Sequence, residues 1–150
     1  MRVTAGILLI LMAVVNGVVG VGYFSVGGVA SAVGDAVENS SETSAADKTV
    51  AAESKDTGGT LMAFGLFLLL LCALEIAAGV ALFMNKAAVF VLAVAGMGLL
   101  AELYGSWTSG LGLLNLFGIA VAIFAFLGAK AVKDAATDGM LAAASPALAD

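Results

Sequence analysis

Glu75, Asn16, Glu102 and Asn115 are strongly polar side chains that interrupt otherwise apolar runs. A carboxyl in hydrocarbon has three uses. It can hydrogen-bond a neighbouring helix in its neutral form, relay a proton or cation, or meet a partner chain. The rest of the inventory narrows the chemistry. Histidine is absent and Cys72 is the one cysteine. A zinc centre, a haem held by histidine and a Cys/His nucleophile therefore lack their ligands or bases. No metal, cofactor or catalytic set is expected, and the chain is not read as an enzyme.

The elements that must position these residues are membrane spans. Hydrophobic residues make up 62% of the 150, and charged residues only 11%. A soluble domain has about 25% charged residues and could not bury so much apolar surface. A net charge of −5 with no basic patch argues against nucleic acid. Membrane lipid is the expected solvent.

A span needs about 20 apolar residues. Four are expected, at about 4–26, 60–84, 87–104 and 111–132. Together they form an all-α, four-helix transmembrane domain over residues 1–134, running up-down-up-down. Gly27-Gly28 is a candidate break, and Asn85-Lys86 and 105–110 leave room for tight turns. Residues 35–59 hold six carboxylates against two lysines, so this acidic connection is expected to be mobile or only locally helical. It reads as a solvated spacer or as a docking surface for a basic partner domain. The Ala-rich residues 135–150, interrupted by Pro146, are expected to fray as a cytoplasmic tail.

Basic residues near span ends set orientation. Arg2, Lys86, Lys130 and Lys133 share one side of a four-span chain, which places both termini in the cytoplasm. Tyr23, Tyr104 and Trp107 then share the other face as an aromatic belt. Arg2, the apolar run and Ala30-Ser31-Ala32 also imitate a cleaved signal peptide, which would leave three spans. Brevity and a single short outer connection suggest a prokaryotic inner (plasma) membrane.

Glu75 lies roughly 14 Å into span two and Asn16 roughly 18 Å into span one, at a rise of about 1.5 Å per residue. A neutral Glu75 hydrogen-bonded to Asn16 would join the two spans. Glu102 and Asn115 are placed at similar height near the outer surface, as a hairpin lock. Glu75 and Glu102 thus fall in opposite halves of the membrane and do not resemble a catalytic carboxylate pair. Small-residue ridges supply packing faces: Ala13 with Gly17; Ala73, Ala77 and Ala81; Ala101 with Gly105; Gly118 with Ala122; and Ala125 with Ala129. They suit a partner in the same chain, a second copy or another membrane subunit.

Leu74 to Leu82 resembles the Glu-x-x-x-Gly stretch of DoxX-like four-span proteins, over under a tenth of the chain. Rotary-ATPase proteolipids share the size and Gly/Ala content, but their duplicated hairpins need an acid in span four, where 111–132 has none. Small multidrug exporters carry an acid in span one, where Asn16 stands. No family is assigned on these residues. The expected role is a small non-catalytic accessory or assembly subunit of a larger membrane complex. The alternative is a small transporter or ion-conducting homo-oligomer with Glu75 as the intramembrane site.

Overall fold

A computed structural model describes residues 2–40, 44–110 and 112–144. Among them the protein is all-α. Helix α1 spans Arg2–Glu38, α2 Ala45–Phe83, α3 Ala88–Ser109 and α4 Leu113–Ala144. All four are long and apolar enough to cross a membrane. Their outward surfaces match that solvent. Val18 is 70% exposed, Leu100 67% and Phe126 57%, an apolar surface that water would not tolerate.

The helices outrun the spans read from hydropathy. Gly27-Gly28 does not break α1, because Gly27 is buried with Gly58 and Met62 close against it. The acidic stretch is helical at 35–38 and 45–59. Ser44 explains the start of α2: its Oγ accepts the Asp47 N–H at 3.2 Å and donates to Asp47 Oδ2 at 2.6 Å. This is a reciprocal N-terminal cap, and it satisfies a backbone donor that would otherwise need water. Glu42 lies outside the described residues. In the tail, α4 continues to Ala144, as befits alanine, the best helix former. Pro146 lies outside the described residues.

Two connections close tightly. After α2, the Lys86 N–H bonds Ala81 O at 3.0 Å, and Asn85 takes a left-handed φ of 53°. Asparagine tolerates that conformation, which caps the helix end. Helix α3 runs through Gly105 and stops at Gly110, whose φ of 84° suits only glycine well and whose N–H bonds Ser106 O.

Contacts divide the chain into two compact units, residues 15–70 and residues 1–14 with 71–150. In the unit of residues 15–70, α1 and α2 pack through small residues. Cβ atoms added at Gly20 and Gly65, or at Gly27 and Gly58, would crowd the opposite helix's backbone, and one at Gly34 would meet Ala51 O. The spacing is seven residues on both helices, with numbers rising on α1 as they fall on α2. Such a heptad of small residues lets two backbones lie close along a supercoiled seam. Tyr23 sits edge-on to Phe64 at 5.2 Å, beside that seam.

The other unit repeats the motif once, where Cβ atoms at Gly6 and Gly79 would each crowd the other's carbonyl. Its interior combines alanines with larger side chains. Leu9, Leu71, Leu82, Val91 and Val94 are fully buried there. Helix α4 contributes its small stripe, Gly118, Ala122, Ala125 and Ala129, all buried.

Candidate functional site: carboxyls among the helices

Glu75 is buried in the unit of residues 1–14 and 71–150, at 3% exposure. Its position follows from the stripe that α2 turns inward: Leu68, Leu71, Glu75, Ala78 and Leu82 are buried at alternating steps of three and four. Glu75 occupies a place where a leucine would ordinarily stand. It is not without a partner.

Glu75 and Glu102 line the same small cavity, of about 10 Å³, together with Leu9, Met12, Ala95, Gly98, Gly118, Val121 and Ala122. The two acids thus border one space within this unit. Helix α3 continues to Ser109, which keeps Glu102 almost two turns inside its helix end. The space suffices for about one water molecule. Two glycines make room for the acids. A Cβ at Gly98 would lie 3.4 Å from Glu75 Oε1, and a side chain at Gly118 would collide with the Glu102 carboxyl.

Asn115 is half-buried at the start of α4 and ties α4 to α3, although not through a carboxylate. Its Nδ2 donates to Ser106 Oγ at 2.8 Å and, more weakly, to the backbone carbonyl of Glu102 at 3.4 Å. Ser106 escaped the sequence reading because that reading ended the helix before it. Asn16 belongs to the unit of residues 15–70, where it is buried at 5% exposure and has an interaction partner. Among the described residues no buried side-chain nitrogen or oxygen lacks a hydrogen-bond partner.

The packing ridges divide. Ala13, Ala101, Gly118 and Ala122 are buried, and Gly17 and Gly105 are half-buried. Ala73 and Ala77 are exposed and Ala81 is half-buried, because α2's inward stripe lies on its other side. The α2 ridge is therefore not absorbed by the chain's own packing. The belt aromatics separate too. Trp107 is 90% exposed and Tyr104 about half exposed. Tyr23 is half-buried beside Phe64. At the other end of the helices Arg2 donates to the side-chain oxygen of Asn85, so the start of α1 meets the α2–α3 turn.

Among the described residues no group of three or more His, Cys, Asp or Glu could hold a metal ion. The fold and these buried groups define the class as a four-helix protein of membrane-spanning character. Comparison with protein-family models, curated proteins and solved structures finds no match to this chain.

Proposed function

We propose that this protein is a non-catalytic multi-pass subunit that assembles with unlike chains in a membrane complex. The helices cross the membrane up-down-up-down, with both termini in the cytoplasm and the acidic stretch 35–59 on the opposite side. A prokaryotic inner (plasma) membrane is the proposed location. The observation that carries the reading is the ridge Ala73, Ala77, Ala81, of which Ala73 and Ala77 stay exposed on α2's outer side and Ala81 is half-buried. In lipid, helix association depends on close van der Waals approach, and small residues at every fourth position permit it. Leu66 and Leu70 continue the line of the ridge and Ile76 and Val80 lie along one side of it, all exposed, so a partner helix would meet a continuous apolar face.

Copurification tests this reading. In gentle detergent the chain should emerge with unlike subunits at a fixed ratio. Ala77→Leu should abolish that association while leaving the chain's own melting temperature within a few degrees. Recovery of the chain alone, or with copies of itself only, would refute it.

A second reading has one observation in its favour, the cavity that Glu75 and Glu102 share. On this reading the protein is a small proton or cation carrier with the two carboxyls on the path. Such a protein would generate flux in liposomes, and Glu75→Gln would remove its pH dependence. Undiminished, pH-dependent flux in Glu75→Gln would exclude Glu75 from any such path.

A further inference from the structure

We propose that the groove between the C-terminal end of α1 and the N-terminal end of α2 docks a basic, amphipathic segment of a partner protein. The inference rests on the accessory-subunit reading and supplies the chemistry of one contact. The groove has a volume of about 490 Å³, enough for a few side chains. Val33, Val37, Val50 and Ala51 give it an apolar floor, and Ser40, Asp47 and Ser54 give it polar edges. Val33 is 53% and Val50 65% exposed. Val50 lies within the polar stretch 35–59, where lipid tails do not explain its exposure, and Val33 lies two residues before it.

Charge decides the occupant. Residues 35–59 carry six carboxylates and two lysines, a net of about −4. Lys55 is already held by Asp35 at 2.7 Å and Glu38 at 3.5 Å, so it does not present a free cation to a ligand. A second copy of this chain would bring the same excess of negative charge to the contact, and anionic lipid headgroups would be repelled in the same way. A segment with apolar side chains on one face and Lys or Arg on the other satisfies the valine floor, Asp47 at the edge and the negative charge of the stretch around it. The helical capping at Ser44 keeps the α2 wall ordered without the partner.

The test places a photo-crosslinking amino acid at Val50, at Val33, and at the control position Ala52, which does not line the groove, in full-length protein in its native membrane. Irradiation should give a crosslinked product from Val50 and Val33 that maps to a Lys/Arg-rich segment of another protein, with about tenfold less from Ala52. Glu53→Gln with Asp56→Asn should lower the Val50 yield about threefold, and so should raising salt, since exposed charge attraction is screened within about 10 Å. Crosslinks to lipid, to a second copy, or to an acidic or uncharged segment would overturn the proposal, as would no product from Val50 or equal yield from Ala52. If unlike subunits still copurify while Val50 gives no product, the groove fails and the accessory reading stands. If no unlike subunit copurifies, the accessory reading fails first.

Discussion

The two units of this chain solve the same packing problem with different materials. Residues 15–70 bring two helices together and do so by removing side chains, with Gly20, Gly27, Gly34, Gly58 and Gly65 on the seam. Residues 1–14 and 71–150 combine segments of four helices and fill the interior with Leu9, Leu71, Leu82, Val91 and Val94, leaving room for two acids. A pair of helices has only one line of contact, so attraction grows mainly by moving the backbones closer. Several helices enclose an interior, where larger side chains gain contacts on more than one side and a carboxyl can be shielded from lipid.

The comparison is sharpest at the seam. Gly65→Val places a Cβ against the backbone of Phe24 and Gly20, with no flexible side chain able to yield. It should cost about 3 kcal/mol or more and prevent the 15–70 hairpin from closing. Gly22→Ala, on the far side of α1 from the seam, meets open space and should instead be neutral or stabilise by about 0.5–1 kcal/mol. Thermal melting in detergent with tryptophan-independent circular dichroism separates the two. Equal effects would mean that the seam is not what holds this hairpin.

The second break lies among the four-helix segments. Gly118→Ala should destabilise by about 1–3 kcal/mol, because its methyl group would occupy the space of the Glu102 carboxyl. Glu102→Ala should recover most of that loss in the double variant, and a double-mutant cycle measures the coupling. Simple additivity would show that the two residues do not share the space. Glu75 comes next: Glu75→Gln keeps a hydrogen-bonding group of the same shape and should change the melting temperature little, whereas Glu75→Leu should cost about 1–2 kcal/mol by stranding its partner. A stabilising Glu75→Leu would mean that the acid is retained for something other than packing.

The smallest effect concerns the acidic end of the hairpin. The hydrogen bond that Lys55 donates to Asp35, and the charges of Asp35 and Glu38, hold the Lys55 ammonium above its ordinary pKa of 10.5. A raised folded-state value means that the ion pairs contribute fully below the ordinary lysine value and lose their contribution as pH climbs past the raised one. Hydrogen exchange of 45–59 should therefore be flat between about pH 6 and 9 after correction for intrinsic rates, and quicken above the lysine range. Lys55→Met should remove the alkaline step, and at half-exposed side chains the effect should be small and salt-sensitive.

How much of this was legible depends on which local signal carried it. Four apolar runs and the inward place of Glu75 follow from composition and from the alternation of Leu68, Leu71, Glu75, Ala78 and Leu82. The helical start at Ser44 was also written in the chain, as Ser-Ala-Ala-Asp, but the polar composition of 35–59 reads as a spacer unless the cap is noticed. The glycine seam has a seven-residue period, so pairs taken four apart pass over it. The α2 ridge at Ala73, Ala77 and Ala81 fits the four-residue template yet lies outside, because leucines on the opposite side determine which face turns in. That Glu75 and Glu102 border one cavity depends on how α2, α3 and α4 pack, which no local pattern states, and the run of α3 beyond Tyr104 escapes hydropathy, which marks where apolar residues end rather than where the helix does.

Sidedness of single cysteines tests the central claim most directly. With Cys72→Ala as background, Ser40→Cys, Lys86→Cys and Lys133→Cys would be exposed in turn to a membrane-impermeant maleimide, in sealed vesicles of both orientations. Four crossings predict that Lys86→Cys and Lys133→Cys label from one face and Ser40→Cys only from the other. Labelling of all three from the same face, or a chain that leaves the membrane in alkaline carbonate, would contradict it.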